Sequence, residues 1–183
     1  MTMTKMYKIL WIEDDALFDL NSLAAAVHTS LKYKLVIARN VTEAVDHILR
    51  SEYDVVIVDM RLPPGTDDRW ATLFLNARAE VEKNFGNKLG LQLLYTLLGP
   101  EQDRVIKLPV PSWVNPNRFA VFTVEEYTTL ERHLTKLGVQ FHVKKKAGLS
   151  RRTLRDLIDQ VIDQNTSNPN GTNGGSSNGS SPH

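Results

Sequence analysis

Five polar residues each close a short apolar run, and as a set they could do chemistry. Glu13 and Asp14 follow the run 7–12, and Asp59 follows 54–58. Thr123 ends 119–123, and Lys144 ends 139–144. Carboxylates about 5 Å apart repel by roughly 3 kcal/mol per pair at an effective dielectric near 20. A hard divalent cation relieves that repulsion, and an all-oxygen donor set beside a phosphate suits Mg²⁺. Lys144 offers a point charge to a phosphoryl oxygen, and Thr123 a hydrogen bond to another. The chemistry that fits is phosphoryl acceptance by a carboxylate nucleophile.

These residues meet only if their runs lie side by side in one sheet. Tyr7–Ile12, Lys34–Ala38, Asp54–Asp59, Phe119–Thr123 and Val139–Lys144 read as five strands. The third holds four β-branched residues in a row and is apolar on both faces, as a central parallel strand is. Between the strands, apolar residues recur at helical spacing. Leu17, Leu20, Ala24, Val27 and Leu31 form one such series, and Ala44, Val45, Ile48 and Leu49 a second, which Asn40 or Thr42 can cap. Leu89 to Leu98 follows the third strand, Glu125 to Leu137 the fourth and ends at Gly138, and Leu154 to Ile162 the fifth behind Ser150. Right-handed crossovers turn five strand–helix units into an α/β sandwich with helices on both faces. Ligands of such sheets bind at the carboxyl ends of the strands, where the five polar residues stand.

Composition narrows the class. The chain has 183 residues, with 22 Lys and Arg against 21 Asp and Glu, so net charge argues for neither a nucleic-acid nor a membrane partner. There is no cysteine, which excludes disulfides, thiolate zinc sites and cysteine nucleophiles and favours a cytoplasmic setting. The apolar run Ile9–Ile12 is too short for a membrane span. Residues 164–183 carry neither charge nor aliphatic or aromatic surface and are expected to form a disordered tail. One domain, residues 1–163, remains.

In this order and on these strands, WIEDD, DVVIVDMRLPPG, VFTV and FHVKKK resemble the four signatures of response-regulator receiver domains. The resemblance implies a doubly wound (βα)5 flavodoxin-like sandwich whose parallel strands run in the order 2-1-3-4-5. It implies that Asp59 accepts phosphate from phosphohistidine, while Glu13, Asp14, Asp59 and the Arg61 carbonyl hold Mg²⁺. Thr123 and Lys144 would contact the phosphoryl group, with Phe141 at the aromatic switch position. The implied partners are a sensor histidine kinase or histidine phosphotransfer protein and a downstream protein target, with no DNA-binding domain, no membrane and room for a homodimer. Three residues depart from the pattern: Lys145 stands where Pro usually follows the lysine, Val124 is larger than the usual neighbour of the hydroxyl, and Phe141 lacks the hydroxyl of Tyr.

The alternative is a phosphorylation-independent pseudo-receiver acting as a protein interaction scaffold. A haloacid-dehalogenase-like phosphatase needs a second Asp two residues after the first, where Arg61 stands. Two segments exceed a minimal receiver: a helical insertion over about 66–87 and a proline-bearing extension over about 100–118. The insertion is expected to pack Trp70 and Phe74 on the domain rather than bring Arg61, Arg69 or Arg78 to the phosphate. Its deletion is expected to change partner choice more than stability. Lys144, Lys145, Lys146, Arg151, Arg152 and Arg155 read as the solvated start of the last helix, and His28, His47, His133 and His142 show no metal spacing.

Overall fold

The computed structural model describes residues 5–14, 20–79 and 88–167. Five parallel strands, β1 (Tyr7–Ile12), β2 (Tyr33–Ala38), β3 (Val55–Val58), β4 (Phe119–Thr123) and β5 (Phe141–Lys144), lie in the order β2-β1-β3-β4-β5. The helices are α1 (Leu20–His28), α2 (Val41–Arg50), α3 (Asp68–Ala79), α4 (Leu89–Leu98), α5 (Tyr127–Leu137) and α6 (Thr153–Ser167). The architecture and the strand order are those expected.

Side chains alternate between the two faces of each strand, and this splits the core in two. Ile9, Trp11, Val55, Ile57, Ala120 and Phe122 face α1 and α6, packing on Leu23, Val27, Leu154, Leu157, Ile158 and Val161. Leu10, Ile12, Val56, Val58, Phe119 and Val121 face the other way, beneath α2, α4 and α5. At α2, Asn40 caps the helix: the Glu43 N–H donates to its side chain at 2.9 Å, while the Glu43 carboxylate accepts from the Arg39 N–H at 2.8 Å. Gly138 ends α5 in the left-handed region, at φ 73°.

Both added segments lie on the second face. The turn through Pro63 and Pro64 is tied to α2, whose Val41 and Thr42 N–H groups donate to the two proline carbonyls at 3.0 and 3.2 Å. Thr42 Oγ1 donates to Pro64 and accepts from the Asp67 N–H, which launches α3. Gly65 turns the chain there at φ 81°, where a side chain would strike Asn40 and Thr42. On α3, Trp70 is fully buried in the second core, and Leu73 and Phe74 pack against it. Leu108, Val110, Trp113 and Val114 of the extension pack on the same core. The Trp113 ring lies 6.1 Å from that of Tyr53.

The insertion packs Trp70 and Phe74 on the domain as expected, with Trp70 fully buried in the second core. Three expectations are corrected. The first helix stops at His28, and Leu31 is 84% exposed at φ 53°, in the turn to β2 rather than on the helix's apolar face. The helix expected from Glu125, α5, starts two residues later at Tyr127, and Glu125 instead pairs with Arg61. The last helix continues to Ser167, past the expected boundary at 163, where Asn165 donates to the Asn117 carbonyl at 3.0 Å. Leu17, and residues 168–183 of the expected tail, lie outside the described residues.

Candidate functional site

The rim is assembled by the strand ladders. Glu13 directly follows β1 and Asp59 directly follows β3; the Asp59 N–H donates to the Ile12 carbonyl at 3.0 Å, extending the β1–β3 pairing by one residue. Glu13 shares the parity of Ile9 and Trp11, and Asp59 that of Val55 and Ile57, so both lie on the α1/α6 side of the sheet. The carboxylate oxygens of Glu13, Asp14 and Asp59 gather within 4.8 Å of one another. Glu13 and Asp59 are buried, while Asp14 is partly open to solvent.

The lysine at this cluster is Lys145, not Lys144. Lys145 is buried, with its ammonium paired to Glu13 and 2.8 Å from Asp59 Oδ2. Lys144 pairs with Glu126 in the open on the α5 side. The physical reason is the period of the strand. Phe141 and Val143 pack on the α1/α6 core, and Lys145 continues their side, whereas Lys144 follows His142 toward α5. The Lys145 N–H donates to the Thr123 carbonyl at 2.6 Å, which carries the β4–β5 ladder one residue further. Its ammonium lies 5.4 Å from the Phe122 ring centroid, where the aromatic face offsets part of the cost of burying the charge. Lys145 therefore leaves the solvated basic cluster.

The residue three positions before Lys145 is His142, not Phe141. Phe141 packs beside α6. His142 lies against α5, its Nε2 3.2 Å from the Glu125 carbonyl and its ring 5.5 Å from that of Tyr127. Burial holds its imidazole below the ordinary histidine range.

Asp59 is held from both sides. Its Oδ1 accepts from the Met60 N–H at 2.6 Å and the Arg61 N–H at 3.4 Å, and its Oδ2 from Lys145. Burial pushes the Glu13 carboxyl up to about 7; the Lys145 ammonium opposes that rise, and the Asp59 charge adds to it. Three carboxylates around one ammonium leave an excess of negative charge with oxygen donors only. That donor set fits a hard divalent cation such as Mg²⁺.

Thr123 is fully buried at the end of β4, and its hydroxyl accepts from the Glu125 N–H at 3.4 Å. Two rim residues were missed from sequence. Glu125 takes Arg61 Nε at 2.6 Å and Lys88 Nζ at 3.7 Å, joining the loop after Asp59 to the loop after Thr123 and the start of α4. Gly90 lets α4 approach so closely that an added Cβ would overlap the Asp59 carbonyl oxygen. Gly90 stands at the head of an apolar run, which marks a close approach, whereas Glu125 looks like one more acid at a helix start. The Arg61 and Arg69 side chains pair with Glu125 and Asp67 rather than with Asp59, and the Arg78 side chain lies outside the described residues.

No family model matches the chain, and no curated protein matches it in sequence. Solved structures do match in shape. A CheY-like response-regulator receiver domain protein from Methanospirillum hungatei is 16% identical, with a TM-score of 0.56 over 89% of this chain and 98% of that one. The chemotaxis response regulator CheY4 of Vibrio cholerae is 14% identical, with a TM-score of 0.54 over 86% and 99%. The receiver domain of a Francisella response regulator is 16% identical, with a TM-score of 0.53 over 86% and 98%. The chain has the fold of CheY-like response-regulator receiver domains. Among the described residues, no helix is long and apolar enough to cross a membrane.

Proposed function

We propose that this protein is a Mg²⁺-dependent phosphoaspartate switch of two-component signalling. The supporting observation is the buried Glu13–Lys145–Asp59 network at the carboxyl edge of the sheet. The donor is a phosphohistidine on a sensor histidine kinase or histidine phosphotransfer protein. An Asp59 oxygen attacks phosphorus, the phosphorus–imidazole bond breaks, and the imidazole leaves with the bonding pair and takes up a proton. The backbone N–H groups of Met60 and Arg61 orient the carboxylate, and the Lys145 ammonium neutralises charge on the transferring group. The Thr123 hydroxyl donates to a phosphoryl oxygen and so couples modification to β4. Glu13, Asp14 and Asp59, with the Arg61 carbonyl, would hold Mg²⁺, which supplies further charge neutralisation when bound. The output is a changed surface read by a downstream protein, and the chain turns over no external substrate.

One observation favours the scaffold alternative. The Arg61–Glu125–Lys88 bridge ties down the loop after Asp59, and Val124 is a large neighbour for the Thr123 hydroxyl. Incubation with Mg²⁺ and a phosphorylated phosphotransfer protein or acetyl phosphate, followed by intact mass, separates the two. A gain of one phosphoryl group that disappears in Asp59→Asn supports the switch. Unmodified protein with every donor supports the scaffold.

A further inference from the structure

A second polar centre lies between α4, the turn Glu101–Asp103 and α5, apart from the residues around Asp59. A cavity of about 380 Å³ opens there, lined by Tyr95, Asp103, Val105, Arg132, His133 and Lys136. Its size is within the range that takes a small organic ligand. Its walls are unusually basic for a chain of near-zero net charge. Arg132 and Lys136 stand one helical turn apart on α5 with His133 beside them, and Asp103 is the one acid in the lining. Asp103 lies 2.7 Å from the Lys136 ammonium, whereas Arg132 has no ion-pair partner among the described residues.

The imidazole is built into the wall. His133 Nδ1 and the Tyr95 hydroxyl are 2.9 Å apart, and the two rings meet edge to face at 5.8 Å. The groups that face it are Tyr95 from α4, Lys88 just before that helix, Asp103 from the turn, and Arg132 and Lys136 from α5. Burial lowers the affinity of His133 for a proton, and Arg132, Lys136 and Lys88 push in the same direction. The cavity in this state is a positive well that resists taking one more charge. A doubly charged anion reverses that balance, because it compensates Arg132 and Lys136 and makes a protonated His133 favourable. A guanidinium fork beside an ammonium also matches the oxygens of a tetrahedral phosphate better than a single carboxylate.

We propose that this cavity binds a phosphate-bearing small molecule, held by Arg132, Lys136 and His133, with Tyr95 and Val105 as the wall against its non-phosphate part. Lys136 exchanges Asp103 for the ligand, and binding takes up a proton on His133. The ligand would bridge α4, whose Gly90 meets the Asp59 backbone, and α5, which follows Thr123.

The His133 ring resonance, followed by NMR against pH in full-length protein without Mg²⁺, tests this. Three arms are compared: inorganic phosphate, ribose 5-phosphate, and sodium chloride at matched ionic strength. The expected result is saturable binding with a Kd of about 1 mM or tighter in a phosphate arm. His133 should titrate higher when the cavity is saturated than in the sodium chloride arm. Tighter binding of ribose 5-phosphate identifies an organic phosphate as the ligand class, and equal binding identifies the phosphate group alone. Arg132→Gln, at an exposed position, should weaken binding about tenfold. The proposal is overturned if His133 titrates identically in all three arms, or if Arg132→Gln binds as well as the unaltered protein.

Discussion

The two faces of the sheet are built to different plans. The α1/α6 face is closed by two helices on a compact core of Ile9, Trp11, Val55, Ile57 and Phe122, and the extension touches it only at its end, where Asn117 accepts from Asn165 of α6. The opposite face carries α2, α4 and α5, and also α3 and the extension with Trp113. The parity of the first face delivers Glu13, Asp59 and Lys145 to one rim. The second face delivers Thr123, the Glu125 bridge and the basic cavity at His133. One face thus gathers its charged residues by strand alternation, and the other by the packing of helices and added segments.

The largest test of that division is Trp70→Ala. If α3 is core, the loss should be about 4 kcal/mol, read by urea denaturation. A loss under about 1 kcal/mol would return the insertion to the surface.

Next comes the pair of neighbouring lysines. Lys145→Ala leaves two buried carboxylates facing each other and should cost about 3 kcal/mol, with loss of phosphorylation by mass spectrometry. Lys144→Ala removes an exposed pair with Glu126 and should change stability by less than about 0.5 kcal/mol. Equal effects would erase the parity argument.

Gly90→Ala should cost about 2 kcal/mol, because the added carbon meets the backbone of Asp59 and α4 must move away. A variant as stable as the original would show that α4 does not press on the acceptor strand.

The smallest effect is a pH dependence. His142 is held below its ordinary range by burial, so the unfolded chain takes up the proton first as pH falls. Its contribution to stability is present above about pH 6.5 and is lost below it. His142→Gln should flatten that acid-side slope in denaturation series at neutral and mildly acidic pH. An unchanged slope would assign the effect to other groups.

Much of the fold was legible because its signals are local. The β-branched run at Val55–Val58, Gly138 after α5 and the alternation of strand with helix each follow from near neighbours. Glu13, Asp14, Asp59 and Thr123 were legible because they close apolar runs. The lysine was misassigned by one position, although Phe141 and Val143 hold the parity that leads to Lys145. Reading the end of the strand in place of its alternation chose the exposed neighbour. Glu125 and Lys88 act through contacts between segments far apart in the chain, and no local pattern announces those.

The amino-acid sequence by itself determined that an acidic rim with one hydroxyl and one lysine would form at the ends of parallel strands. Period two and apolar burial require as much. Only the tertiary structure decided which lysine enters, since the choice depends on which face of β5 meets α6. It also decided that Trp70 is core and that Arg132, His133 and Lys136 share a cavity with Tyr95 and Asp103. Those outcomes rest on packing between elements, where burial and long-range electrostatics outweigh local propensity.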